Sequence, residues 1–331
     1  MSVAQLTYAQ AALLALQKAM RADDRVVALG EDLGRGGVFG QYRGLQGEFG
    51  AARVIDTPIS EANIMGAAVG MALAGLRPVV EMRVIDFALC AMDELVNQAA
   101  KNRYMFGGQG RVPLVVRMPI GIWTASAAQH SQSLEAWFAH LPGLLVAAPA
   151  TPQDNFSLLE AALASGDPVV YLEHKELWAE AGEVDDALAV PFGKARRVTP
   201  GSDLTLATWS RGLAPSLAAL NEPELAGVSV EVIDLRTLWP WDREAVCASA
   251  ARTGALLVVH EAVQVAGFGA EVAAATAEAT GCRVARLGAP RIHVGYAPVL
   301  EAESRLTPHK IAAAARGLLE SRRKLAAPHG R

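Results

Sequence analysis

The chain has 331 residues, 52% of them hydrophobic and 19% charged, and its 30 basic and 34 acidic residues leave a formal net charge of −4. That length favours two domains, and the composition is that of a globular, core-rich chain, which excludes disorder. Mild acidity without a basic stripe interleaved with aromatics argues against a nucleic-acid partner.

In chain order, the pattern predicts a helix near residues 4–21 and buried strands over Val26–Leu29 and Val54–Asp56. A helix near 60–75, a strand over Pro78–Val84, a helix near 87–103 and a strand over Pro113–Arg117 follow. The series continues with a helix near 131–140, a strand over Leu144–Ala147, a helix near 153–165 and a strand over Val169–Leu172. Unbroken β-branched runs between amphipathic ones mark strands covered on both faces. The alternation therefore predicts an α/β fold, doubly wound about a mostly parallel sheet.

Glu180–Pro200 is acidic, then punctuated by Pro191, Gly193 and Pro200, and reads as a linker. Beyond it, strands are expected near 203–209, 228–234, 255–260 and 283–287. The last long helix starts at Thr307-Pro308, a hydroxyl cap followed by proline. Two doubly wound domains are expected, 1–195 and 196–331, and Arg322-Arg323-Lys324 reads as the solvated end of the last helix.

The most apolar helical stretch, Ala62–Leu76, has about fifteen residues, too few for a bilayer core of roughly 30 Å. The first residues show no signal-peptide pattern, so a soluble, cytoplasmic protein is expected. Cys90, Cys247 and Cys282 are scattered, which suits a reducing compartment, and each reads as a small buried hydrophobe. No histidine pair has metal-ligand spacing, so no metal site is expected in this chain.

Several segments carry chemistry. Leu29–Gly37 is glycine-rich after a strand but matches neither G-x-G-x-x-G nor a P-loop, which disfavours a nicotinamide dehydrogenase. Asp56-Thr57-Pro58-Ile59-Ser60-Glu61 ends a strand and opens a helix, with Ser60 as the expected cap. Glu61 in the first turn suits either a dipole-stabilising carboxylate or a functional acid. Ala62, Gly66, Gly70 and Ala74 form a small-residue stripe that would let another backbone approach. His130 sits in a loop before a helix, where it suits proton transfer or anion binding.

These pieces resemble one family along nearly the whole chain: the beta subunit of the decarboxylating component of 2-oxo acid dehydrogenase complexes. The matching stretches are Gly30-Glu31-Asp32, Arg53–Glu61, Gly75–Glu81, Asp86-Phe87, Gln98–Lys101, His130-Ser131-Gln132, His140–Leu144 and Val232–Thr237. The resemblance implies a thiamine-diphosphate pyrimidine-binding domain followed by a transketolase C-terminal-like domain. It places Glu61 against a ring nitrogen of the cofactor's aminopyrimidine, where a carboxyl group promotes the imino form that removes the thiazolium proton. It also places Phe87 on the pyrimidine face, Ile59 in an apolar wall and Glu31 as a second acid. His130 is implied in proton transfer or in reductive acylation of a lipoyl group. Arg83 stands near the cofactor, where relatives often carry glutamine or methionine.

The Gly-Asp-Gly anchor with its distant Asn, which binds magnesium and diphosphate in thiamine enzymes, is missing; the one Gly-Asp, Gly166-Asp167, runs into Pro168. The resemblance therefore implies that an alpha subunit holds the diphosphate and Mg2+, with the site formed in an α2β2 heterotetramer. A lipoylated dihydrolipoyl acyltransferase is the implied acyl acceptor. Leu172–Lys175 and Pro191–Ala195 resemble acetoin-cleaving members, and Ala128–Gln132 is shared with pyruvate-type members. Acetoin and pyruvate rank equal as substrates, and branched-chain 2-oxo acids rank third. A potassium site like that of some relatives is not expected, because Ser165-Gly166-Asp167 lacks the pattern. The rivals are a split transketolase-like enzyme and a non-catalytic scaffold subunit.

Overall fold

Thr7 sets the first boundary of the chain. Its hydroxyl accepts from the Gln10 N–H at 3.2 Å while the Gln10 side chain accepts from the Thr7 N–H at 2.8 Å, a reciprocal capping box. The helix expected near 4–21 therefore begins only at Tyr8 (α1, Tyr8–Ala22), and Val3–Thr7 before it is a strand, β1. The computed structural model describes residues 3–326, with side chains described through Ser321; the expected basic end Arg322-Arg323-Lys324 lies outside the described side chains.

The chain divides into two compact units, the first comprising Met1–Trp123, Gln129–Phe192 and Leu238–Pro240. After α1 come β2 (Val26–Gly30), α2 (Leu45–Phe49), β3 (Val54–Asp56), α3 (Glu61–Leu73) and β4 (Arg77–Glu81). The 87–103 helix is realised as a helical run of changing pitch, 3-10 over Ile85–Ala91, π over Asp93–Ala99 and then α4 (Ala100–Met105). There follow β5 (Val115–Ile120), α5 (Glu135–Ala139), β6 (Leu145–Ala147), α6 (Pro152–Ala164), β7 (Val169–His174) and β8 (Ala181–Asp185). Helix 131–140 thus shrinks to α5, and His130 lies in the irregular segment before it.

Six of these strands form a sheet in the order β6-β7-β5-β4-β2-β3, parallel throughout, and Thr237–Trp239 from later in the chain adds beside β6. Ala11, Ala12, Leu16 and Met20 of α1 bury with Phe156, Leu158 and Leu159 of α6 and with Val26, Val79 and Val115 of the sheet. The expected linker Glu180–Pro200 is not unstructured: β8 pairs antiparallel with β1, from Val3 with Asp185 to Thr7 with Ala181. Charged strands with one solvated face look like linker in composition alone.

The second unit comprises Thr124–Ala128, Gly193–Thr237 and Trp241–Arg331. Its elements are β9 (Arg196–Thr199), β10 (Leu204–Thr208), α7 (Leu213–Ala219), β11 (Val230–Asp234) and α8 (Arg243–Thr253), while β12 (Thr237–Trp239) between β11 and α8 is the strand beside β6 in the first unit's sheet. The remainder is β13 (Ala255–Val263), α9 (Gly269–Thr280), β14 (Arg283–Ala289), α10 (Pro298–Ser304) and α11 (Pro308–Ala326). The order β14-β13-β10-β11 is parallel, with β9 antiparallel at its edge. Hydroxyl capping recurs where expected: the Thr307 hydroxyl accepts from the Lys310 N–H at 3.2 Å at the start of α11. Among the described residues no helix is long and apolar enough to cross a membrane. The cysteines depart from expectation, Cys90 being exposed and Cys247 and Cys282 half-buried.

A set of charges is buried in the first sheet. Arg117 of β5 is fully buried and meets Glu173 of β7 bidentately, at 2.8 and 2.9 Å. Its guanidinium lies 4.8 Å over the Tyr42 ring. The Tyr42 hydroxyl donates to Glu81 at 2.7 Å, and Gln41 donates to the other Glu81 oxygen at 3.0 Å. Asn155 donates to Glu173 at 3.1 Å. Burial pushes the Glu81 carboxyl up to about 7, against the opposing pull of Arg117 and the Tyr42 hydrogen bond.

Removing one partner of such a pair strands the other charge. Arg117→Met should cost about 3–5 kcal/mol, and the double variant Arg117→Met/Glu173→Leu should recover most of it. Urea unfolding with an unchanged slope measures both.

In the second unit the His260 ring is fully buried and stacked on Trp209 at 5.2 Å between centroids. A Cβ at Gly267, Gly269 or Gly288 would meet the His260 ring at 2.7, 2.6 or 2.8 Å, so the three glycines form its cage. Burial pulls the His260 pKa down to about 4. The unfolded residue ionises at about 6.5, so the unfolded state takes the proton first as pH falls. The His260 contribution is complete above about pH 6.5 and declines as pH falls towards about 4. Glu81 has the opposite sign, because the folded state holds its proton between about 4.5 and about 7, and its contribution declines as pH rises through that window. His260→Gln should remove the acid-side loss, about 2–3 kcal/mol, seen as the difference between the two chains in urea unfolding at pH 7 and pH 4.5.

Candidate active site

Every residue expected to act follows the carboxyl end of a strand in the first unit's parallel sheet. Glu31 follows β2, Ile59 and Glu61 follow β3, Arg83 and Phe87 follow β4, and His130 follows β5. These four strands are adjacent, in the order β5-β4-β2-β3. From β2 the chain moves to one side to make β3, then returns to the other side to make β4. Such a reversal opens a crevice at the strands' carboxyl ends, the ordinary place for a ligand in an open α/β sheet.

The structure brings two pairs of these residues together. Arg83 contacts the Glu31 carboxylate at 3.5 Å and Asp32 at 3.9 Å, across the β2–β4 reversal. The Phe87 ring meets the His130 imidazole edge-on, with centroids 5.2 Å apart and planes at 85°. Glu31 is buried, Phe87 and Glu61 are half-buried and His130 is exposed. Ile59 is 75% exposed, an uncovered apolar side chain beside the helix that Glu61 opens. Ser60 occupies the cap position of α3, but its side chain makes no capping hydrogen bond, so Glu61 is the group that complements this helix N-terminus. The small-residue stripe is open: a Cβ at Gly70 meets nothing within 4 Å, and one at Gly66 meets only Glu94 at 3.6 Å.

Gly30 explains how the crevice floor is built. A Cβ there would lie 2.8 Å from the Glu81 carbonyl oxygen and 2.9 Å from its Cβ, so β2 and β4 approach closely only because residue 30 has no side chain. Asp56 accepts from the Gly34 N–H at 2.8 Å and pins the glycine-rich loop to the end of β3.

An acid at a helix start, a half-buried phenyl ring and an exposed isoleucine suit a flat heteroaromatic ring with nitrogen acceptors. Arg83 contacts Glu31 and Asp32, Asp56 and Glu61 add negative charge, and Arg35 and Arg43 of the loop after β2 are exposed.

Comparison with known proteins supplies the family. Residues 4–180 match the family described as "Transketolase, pyrimidine binding domain" and residues 193–311 that described as "Transketolase, C-terminal domain". The 2-oxoisovalerate dehydrogenase subunit beta of Bacillus subtilis is 40% identical over 323 residues, 95% of this chain and 99% of that one. The chain belongs to the beta-subunit family of 2-oxo acid and acetoin dehydrogenases. The acetoin:2,6-dichlorophenolindophenol oxidoreductase subunit beta of Cupriavidus necator is 39% identical, covering 91% of this chain and 94% of that one. The pyruvate dehydrogenase E1 component subunit beta of Staphylococcus epidermidis is 40% identical, with 93% and 96% covered. A solved split-gene transketolase, described as an inactive beta4 tetramer, shares the fold with a TM-score of 0.80 at 21% identity, covering 95% of this chain and 98% of that one.

The transketolase-type domains of this beta-subunit family imply dependence on thiamine diphosphate. Around the expected residues lie others that pattern reading did not single out. Asp86 accepts from the Gln132 side chain at 2.8 Å, and burial pushes its carboxyl up against that hydrogen bond and the Lys175 charge. Lys175 donates to the His130 main-chain carbonyl. The signal for both was a charge next to an apolar strand, Glu173-His174-Lys175 and Val84-Ile85-Asp86, where burial demands a partner. Elsewhere, Glu222, Glu224 and His309 bring ligand atoms within 4.8 Å of one another, a proximity that spacing along the chain conceals. His309 is exposed there, and its Nδ1 lies 3.3 Å from a Glu224 carboxylate oxygen, a surface contact.

Gly30→Ala tests the crevice floor. The added methyl meets main-chain atoms, so the variant should lose about 1–3 kcal/mol of stability, read as a lower urea midpoint, whereas Gly70→Ala should be neutral or stabilising.

Proposed function

We propose that this chain is the beta subunit of a thiamine-diphosphate-dependent pyruvate or acetoin dehydrogenase, and that it works in the cytoplasm within an α2β2 heterotetramer. In this reading the alpha subunit holds the diphosphate and Mg2+, and the acyl group passes to the lipoamide of a dihydrolipoyl acyltransferase. The functional division of the chain falls at about residue 195. The observation that carries the reading is the gathering of acid and apolar residues, Glu31, Ile59, Glu61 and Phe87, after adjacent strand ends in a sequence that lacks the Gly-Asp-Gly anchor. The names of relatives at about 40% identity over nearly the whole chain support it.

Bound thiamine diphosphate supplies an electron sink for cleaving the bond beside a substrate carbonyl. Glu61 would hydrogen-bond the pyrimidine ring nitrogen through its carboxyl group, and Phe87 and Ile59 would pack on the ring. Glu31, fixed by Arg83, is a second acid. His130 moves a proton at its imidazole as the acyl group leaves. Branched-chain 2-oxo acids are the alternative substrates, favoured by the 40% identity to the 2-oxoisovalerate enzyme's subunit.

The test is co-expression with candidate alpha subunits and cofactor-dependent dye reduction with pyruvate, acetoin and 2-oxoisovalerate. Activity is expected only in the pair, with one substrate preferred. Glu61→Gln should lower turnover at least about 100-fold while the complex still assembles. Turnover by this chain alone would refute the shared site; turnover unaffected by a lipoylated domain would favour a transketolase-like enzyme, and a fully active Glu61→Gln complex would remove the acid from the mechanism.

A further inference from the structure

The segment Gln129–Ser133 presents an exposed imidazole, yet its backbone is held from three strand ends. Lys175 opens the turn after β7, and its ammonium donates to the main-chain carbonyl of His130. Asp86, after β4, accepts from the Gln132 amide at 2.8 Å. The Gly121 N–H, after β5, donates to the Gln132 carbonyl at 3.0 Å. Phe87, next to Asp86, sets its ring against the imidazole.

Lys175 is the unusual member, being only 3% exposed. Lysine is among the side chains least often buried, and an interior ammonium is costly unless it is paired and hydrogen-bonded. Ordinary turn formation after a strand does not require one. The Lys175 charge also opposes the burial that raises the Asp86 pKa, so the two ends of the clasp share one low-dielectric space. The lysine reaches the His130 carbonyl and leaves the imidazole itself available.

The geometry points to Lys175 as a positioning residue that sets the place of the His130 imidazole by holding its main-chain carbonyl, with Asp86 and Gln132 closing the clasp. This inference rests on the reading that His130 acts in acyl transfer. A misplacement of about 1 Å in such a group reduces rate by as much as about a hundredfold. A lysine that served the fold alone would change stability and assembly without changing how turnover divides between acceptors.

The experiment uses the assembled alpha–beta complex with a lipoylated domain and, separately, an artificial dye. Lys175→Met keeps the stem and removes the donor; Lys175→Arg keeps a donor. Lys175→Met is expected to lower the ratio of lipoyl acylation to dye reduction at least about tenfold, and Lys175→Arg to restore most of it. Added to His130→Ala, Lys175→Met should lower the ratio no further, since both act through one group. Amide exchange over 129–133 should accelerate at least about tenfold in Lys175→Met. A wild-type ratio and wild-type exchange in Lys175→Met overturn the proposal. If His130→Ala leaves the ratio unchanged, the reading of His130 fails, and exchange over 129–133 decides the positioning claim by itself. If Lys175→Met does not assemble, Lys175→Gln is judged by the same two readings.

Discussion

The Arg117–Glu173 pair is the constraint on which the first unit is built. Both charges are buried, so each must find the other, and the parallel register leaves one way to do so. Arg117 sits level with Glu81 of β4 and with Tyr171 of β7. A slip by one residue would turn Arg117 to the opposite face of the sheet and leave Glu173 unpaired. The interaction therefore selects register as much as it stabilises, and register decides which residues emerge at the carboxyl ends of β4, β5 and β7. Glu81, Tyr42 and Gln41 extend the same network towards β2, where Gly30 allows the close approach.

What emerges is an edge that carries acids, arginines and apolar side chains together. Glu31 and Asp32 follow β2, Asp56 ends β3 and Glu61 opens α3, with Arg83 in contact with the first two. In the proposed reading a neutral heteroaromatic ring would meet the Glu61 acid and the apolar side chains of Ile59 and Phe87. The missing anchor motif is, in the same proposed reading, the reason why the chain offers half a site.

Much of this was legible in sequence because the buried strands announce themselves as β-branched runs, and their ends locate the site residues. Val26–Gly30, Val54–Asp56 and Val230–Asp234 fall where the pattern places them. The failures share a cause. Val3–Thr7 and Ala181–Asp185 form a two-stranded pair with one solvated face, and strands of that kind carry no continuous apolar signal. The helix expected at 131–140 was shortened because Gln132 spends its side-chain amide and its main-chain carbonyl on tertiary contacts, an override that propensity cannot foresee. The partners of Arg117 and Lys175 were likewise hidden, since a charge beside an apolar strand says that it needs a partner without saying which.

The way His130 is held follows from its exposure. Packing immobilises a side chain by surrounding it, and a group that must meet an external acceptor cannot be surrounded. Order must then be imposed on the main chain, from below, by donors and acceptors that are themselves rigid. Lys175, Gly121 and Asp86 meet that requirement because each leaves the end of a strand whose register the buried charges have already set. The ion pair in the sheet and the open imidazole at its edge are in this sense one arrangement. The first fixes the strands, and the strands fix the points from which the second is held.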